Sequence, residues 1–191
     1  MKVAVVGAGI MGATIGTYLT EGGAEVWLVD PYKAHIDAIN ENGLDIIGYD
    51  KDKNTFDINY KIKAVYSPDM IGEAVDYVVY CVKMMHMDSA IEQAKCISGP
   101  DTTHISLLNG VGSAEKLLEA YDDNHVVYGI VSSGGAVLAP GKVERNFVPG
   151  FSFISVGAAC KRITPALESF KAVLDKTDCD FKTYDDIDPI V

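Results

Sequence analysis

The sequence predicts an α/β protein built on a doubly wound, mainly parallel sheet, with additional β-hairpin strands toward its C-terminal end. Three observations predict it. Residues 1–30 run strand, glycine-rich turn, helix, strand. Apolar strand-like runs then alternate with helical runs as far as Ala120. Past Val126 the chain changes to short β runs punctuated by Gly134-Gly135, Pro140-Gly141 and Pro149-Gly150, which is the pattern of hairpins rather than of crossover helices.

Each element has a local reason. Val3–Val6 is a β-branched apolar run and reads as the first strand. Ile10–Glu21 carries a helical pattern that stops at Gly22-Gly23. Glu25–Val29 is the second strand, after which Pro31 starts a helix that Asn42-Gly43 ends. Leu44–Ile47 and Thr55–Tyr66 read as strand-like segments on either side of a polar loop, Asp50 to Asn54, and Ser67-Pro68-Asp69 opens a short helix. Tyr77–Val82 is a fully apolar strand, Asp88 caps a helix to about Cys96, His104–Leu108 is a further buried strand, and Ser113 caps a helix through Ala120. Thr164-Pro165 begins the last helix, to about Leu174, and the polar tail Tyr184–Val191 follows.

Composition narrows the partners. A formal charge of -11 leaves no basic footprint for nucleic acid or an anionic membrane surface, and no run of about 18 apolar residues is present to span a bilayer. Small molecules are therefore the expected partners. Cys81, Cys96, Cys160 and Cys179 form no CxxC pair and read as reduced thiols of a cytoplasmic protein. His35, His86, His104 and His125 lack metal-ligand spacing, and neither HExxH nor GxSxG occurs, so neither a metal site nor a hydrolytic triad is expected.

The functional signal is the turn Gly7-Ala8-Gly9-Ile10-Met11-Gly12, a GxGxxG placed directly after a strand and directly before a helix. Gly7 permits the tight turn, Gly9 lets the backbone approach a pyrophosphate, and Gly12 allows the helix to pack against the strand. Such a turn holds phosphate with backbone N–H groups and a helix N-terminus, so an acidic protein can still bind a dinucleotide. This makes the domain Rossmann-type, with NAD or NADP as its cofactor. Asp30, 18 residues beyond Gly12 at the end of the second strand, is placed to accept hydrogen bonds from the adenosine ribose, which favours NAD. It is equally placed to cap the helix after Pro31, and one carboxylate can serve both ends. Lys83 and Asn109 fall at the carboxyl ends of strands, where an open α/β sheet holds its ligands. Read locally, Lys83 is also a solvated strand-end lysine and Asn109 a turn former. Met84, Met85 and Met87 line the cleft mouth or pack into the core.

Val82-Lys83, the run Leu107 to Gly112 with its Asn-Gly-Val-Gly turn, and the stretch Gly134 to Val143 with Pro140-Gly141-Lys142-Val143 together resemble ketopantoate reductase, over essentially all 191 residues. The resemblance implies NAD(P)-dependent reduction of a 2-keto acid, most simply 2-dehydropantoate to pantoate in pantothenate and coenzyme A biosynthesis. It implies that Lys83 contacts cofactor and lies near substrate, that Asn109 lies beside the nicotinamide ribose and the substrate, and that the Gly135 backbone is near the cofactor. It also implies residues 1–184 as the dinucleotide-binding domain and residues 185–191 as the start of a linker to a helical substrate domain, with the general-acid lysine beyond Val191 and no catalytic residue before it. A keto acid is then the partner, with the oligomeric state open to a homodimer. Family members commonly carry arginine near the position of Asp30 and use NADP, from which this sequence departs. Two other readings stay open: another NAD-dependent two-domain dehydrogenase such as 3-hydroxyacyl-CoA dehydrogenase, which Gly7–Gly12 followed by Val26-Trp27-Leu28-Val29-Asp30 also resembles, and a non-catalytic NAD-sensing module.

Overall fold

The computed structural model describes residues 1–50, 52–109, 112–146 and 153–190. Its first unit follows the local signals closely: β1 is Lys2–Val6, α1 Ile10–Glu21 and β2 Glu25–Val29. β1 lies between β2 and a later strand, β6 (Val75–Tyr80), parallel to both, with Val3–Val6 in register with Val26–Val29 on one side and Tyr77–Tyr80 on the other. Buried on both faces, these strands are apolar throughout rather than alternating.

The remaining strands are β3 (Leu44–Tyr49), β4 (Thr55–Tyr60), β5 (Lys63–Val65), β7 (Ser98–Ser106), β8 (Val126–Ser132), β9 (Gly134–Ala139), β10 (Lys142–Asn146), β11 (Phe153–Ala158) and β12 (Phe181–Tyr184). The main sheet runs β12-β11-β8-β7-β6-β1-β2-β5, and every pairing in it is parallel except β8 with β11. That is the expected Rossmann-type sheet with strands added from the C-terminal part. A second, four-stranded sheet, β4-β3-β10-β9, holds the hairpin turned by Pro140-Gly141. Pro149-Gly150 lies outside the described residues.

Several elements depart from their sequence-based boundaries. The segment Thr55–Tyr66 divides: β4 joins the second sheet, whereas β5 crosses to the edge of the main sheet beside β2. Helix α2 is Lys33–Asn42, so it begins after Pro31 rather than at it. The residues after Pro68 form a single 3-10 turn, Pro68–Ile71. A second such turn, Met84–His86, precedes α3 (Met87–Ala94), so Asp88 sits inside the first turn and does not cap the helix. Helix α4 is Ser113–Leu118; Gly112, with φ +101°, precedes it, and the Ser113 hydroxyl accepts from Ser106 instead of capping. Helix α5 (Pro165–Leu174) starts as expected, the Thr164 hydroxyl accepting the Leu167 N–H.

The sheet separates two cores. On one face α1, α2, α5 and the second sheet contribute Ile15, Leu19, Ile36, Leu44, Val143 and Phe170. On the other, α3 and α4 contribute Met87, Ile91 and Leu117 against Val78 and Tyr80. Full burial of Leu167, Phe170 and Leu174 fastens α5 to its face at roughly 1.5–3 kcal/mol each. Beyond β12, Ile187 is buried against Gly157, and Lys161 pairs with Asp186 and Asp188. Among the described residues no helix is long and apolar enough to cross a membrane.

Candidate functional site

The glycine turn joins β1 to α1 at the carboxyl end of the main sheet, beside β2 and β6. Gly7 has φ +99°, and a Cβ there would stand 2.7 Å from the Cys81 carbonyl oxygen, so neither the conformation nor the space admits a side chain. At Gly12 a Cβ would fall 1.7 Å from the Gly7 carbonyl oxygen, which shows how tightly α1 is drawn against the turn. Gly9 differs: it is exposed, and a Cβ would meet nothing within 4 Å among the described residues. Its place faces open space, as a ligand-approach glycine requires.

The turn leaves donors without acceptors. The N–H groups of Gly9, Ile10 and Met11 take no partner among the described residues, whereas Gly7 donates to Val29 at 2.8 Å. Helix α1 has neither a side-chain cap nor an acidic residue in its first turn. Its positive end is thus open to an anion. The acceptor a pyrophosphate provides is the group these donors lack, so the residues present fit a dinucleotide.

An open cleft of about 440 Å³ lies against this turn, lined by Gly7, Gly9, Asp30, Tyr66, Lys83 and His86 among others. Asp30 is committed at both oxygens: Oδ2 accepts the Ala8 N–H at 2.9 Å and Oδ1 accepts the Tyr32 N–H at 2.9 Å. It therefore braces the glycine turn and the entry to α2 together. A carboxylate has about four acceptor positions, so hydroxyls in the cleft can still be received. Lys83 is exposed at the end of the β6 segment, and its ammonium has no hydrogen bond or ion pair among the described residues. Cys81 also lines the cleft, but burial pushes its thiol up to about 12, so it stays a neutral thiol there.

The expected residues are not all in one place. Gly7, Gly9, Asp30 and Lys83 share the cleft. Ala8 is buried beneath it, and Met11 lies on the other side of α1. Gly135, in β9, sits against the start of α1, where a Cβ would come 3.2 Å from Ile10 Cγ2. Asn109 is exposed, and its Oδ1 accepts the Val131 N–H at 3.1 Å, tying the end of the β7 segment to β8. The adjoining Gly110 and Val111 lie outside the described residues. Of the methionines, Met87 is core, Met85 is exposed and Met84 packs against Gly112. Tyr32 stacks on His35, and Lys33 stands over the Tyr66 ring at 5.3 Å. Tyr66 and His86 in the cleft, and His35 beneath the turn, carried no motif that could have singled them out.

Comparison with known proteins decides between the resemblances. The model of the ketopantoate reductase PanE/ApbA family matches residues 3–158. The chain belongs to the ketopantoate reductase family. Membership settles the choice against 3-hydroxyacyl-CoA dehydrogenase. Among curated ketopantoate reductase relatives, the 2-dehydropantoate 2-reductase of Pyrococcus horikoshii is 33% identical over 144 residues, covering 75% of this chain and 44% of the relative. That of Lactococcus lactis is 28% identical over 144 residues, covering 75% and 45%. The chain thus spans about half the length of the curated relatives it matches. The 2-dehydropantoate 2-reductase structure from Geobacter metallireducens superimposes with a TM-score of 0.86 at 23% identity, over 99% of this chain and 60% of that one, which establishes the fold.

Proposed function

We propose that this chain is the cofactor-binding part of an NAD(P)-dependent oxidoreductase that reduces a 2-keto acid, 2-dehydropantoate to pantoate. The observation that carries the reading is the row of N–H donors at Gly9, Ile10 and Met11 without partners among the described residues, with Gly9 sharing a cleft with Lys83, whose ammonium is likewise unpaired among the described residues, in a protein of net charge -11. Family membership supports it, as does the bound ligand of a relative in fold: D-mandelate dehydrogenase with NADH and anilino(oxo)acetate, TM-score 0.84.

In this reading the turn donors and the α1 N-terminus hold the pyrophosphate, Asp30 receives the adenosine ribose hydroxyls, and Lys83 supplies a positive charge in the cleft. Asn109 and Gly135 border the nicotinamide end, Asn109 being held by Val131 and Gly135 by its pairing with Arg145 of β10. A reduced nicotinamide held there would supply the hydride for the keto carbon. The protein's own work is to orient the ligands and to place positive charge where the oxygen gains negative charge.

The cofactor is proposed to be NAD. A 2′-phosphate would enter beside the Asp30 carboxylate, which is already fixed by Ala8 and Tyr32 and cannot turn away without releasing both. Unit charges about 4 Å apart repel by roughly 4 kcal/mol at an effective dielectric near 20, which solvent reduces to on the order of tenfold to a hundredfold in affinity. Calorimetric titration with NADH and NADPH tests both levels. NADH binding tenfold or more tightly than NADPH supports the assignment of Asp30. Equal or tighter NADPH binding overturns that assignment, and binding of neither overturns the dinucleotide site.

A further inference from the structure

His35 lies in the first turn of α2, is only 2% exposed, and has both ring nitrogens in use. Nδ1 is 3.0 Å from the Gly141 backbone nitrogen and Nε2 is 3.0 Å from the Ala8 carbonyl oxygen. A backbone N–H only donates, so Nδ1 must be the bare acceptor. A carbonyl only accepts, so Nε2 must carry the proton. One neutral tautomer alone satisfies the two partners. The ring joins residues that the chain keeps far apart, since Ala8 is 27 positions away and Gly141 is 106.

The consequence reaches the cofactor turn through peptide geometry. In a trans peptide the C=O of one residue and the N–H of the next point in opposite directions. Holding the Ala8 carbonyl on His35 therefore aims the Gly9 N–H the opposite way, and that N–H has no partner among the described residues. The preceding peptide is held independently, because the Ala8 N–H donates to Asp30. Imidazole and carboxylate thus orient the two peptide planes that meet at Ala8. The Gly141 side links this arrangement to the second sheet: its carbonyl accepts the Asp45 N–H at 2.8 Å, and the turn packs on Ala38.

We propose that His35 is a positioning residue for dinucleotide binding: as its Nε2–H tautomer it anchors the Ala8 carbonyl, so that the Gly9 N–H is preset toward the pyrophosphate, while Gly141 holds the tautomer from the second sheet. This rests on the reading that the glycine turn holds a dinucleotide. Preset donors raise affinity because their orientation is not ordered at the moment of binding.

The test separates the two nitrogens. In His35→Gln the side-chain amide reaches the Nε2 position and keeps a donor for Ala8; in His35→Asn the amide reaches only the Nδ1 position and keeps an acceptor for Gly141. NADH titrations of the purified chain are expected to place His35→Gln within about threefold of the unmutated protein and to weaken His35→Asn by about tenfold, the usual cost of one lost hydrogen bond. Melting curves confirm that each variant is folded and are expected to drop similarly for both. Equal affinities of His35→Asn and the unmutated chain, or equal weakening of the two variants, overturns the proposal. Nitrogen-15 NMR of the unmutated chain is an independent reading that needs no variant: a proton on Nδ1 overturns it, and a proton on Nε2 supports it. If the unmutated chain fails to bind NADH, the dinucleotide reading has failed and the positioning role falls with it, an outcome distinct from a failure of His35 alone.

Discussion

The Asp30 carboxylate accepts the Ala8 backbone N–H at 2.9 Å across 22 residues of sequence, and its other oxygen accepts the Tyr32 N–H. The residue expected to meet the ribose is thus also a structural brace of the turn that meets the phosphates. Replacing it removes acceptors from two backbone donors. Asp30→Ala is expected to destabilise the protein by about 1–3 kcal/mol in denaturant unfolding, and Asp30→Asn, which keeps one acceptor oxygen, by less. Equal stability of Asp30→Ala and the unmutated protein would refute the brace.

Binding and folding separate at Gly9. A Cβ there would touch none of the described residues, so Gly9→Val is expected to keep the melting temperature within a few degrees while abolishing NADH binding measured by calorimetry. Gly12→Ala is the contrasting variant, since its Cβ would collide with the Gly7 carbonyl oxygen, and it is expected to lower stability as well as binding. Undiminished NADH affinity in Gly9→Val would relocate the pyrophosphate.

Lys83 is exposed and unpaired among the described residues, so its removal leaves no buried group unsatisfied. Lys83→Ala is expected to leave the unfolding midpoint unchanged and to weaken NADH binding by about tenfold, with the difference shrinking as salt rises. A weakening that ignores salt would mean that the ammonium acts by packing rather than by charge.

A pH dependence of stability follows from His104. It is buried in the core between Tyr80, whose hydroxyl lies 3.1 Å from Nδ1, and Tyr121, whose ring is stacked 3.4 Å away. Burial, then the His125 charge, holds His104 down to about 3 from an ordinary value of 6.5. Between those values the unfolded chain binds a proton that the folded chain refuses, so stability is full above about pH 6.5 and falls as the pH drops toward 3. The slope is at most about 1.4 kcal/mol per pH unit. Unfolding midpoints measured from pH 7 to pH 4 are expected to fall more steeply for the unmutated protein than for His104→Gln. Parallel profiles would remove His104 as the cause.

The sequence by itself determined the parts whose causes lie within a few residues. Gly12 answers a steric demand made by Gly7, five positions back, and Gly7 supplies the positive φ of its own turn, so the strand, turn and helix from Lys2 to Glu21 stand where local signals put them. The same holds at Thr164, which caps α5 through a bond to Leu167 only three positions on. Asp30 was legible as a candidate because its spacing follows from one βαβ unit. Only the tertiary structure decided which strands pair across long separations. Thr55–Tyr66 reads as one β-prone stretch, yet β4 pairs with β3 in the second sheet and β5 with β2 in the main one, and β10 reaches back to lie parallel to β3. A β-branched run states that it will form a strand and not which edge will receive it. His35 is the clearest case: on the buried face of α2 it carries the pattern of any core residue, and its partners become visible only when folding brings Ala8 and Gly141 to opposite sides of one imidazole ring.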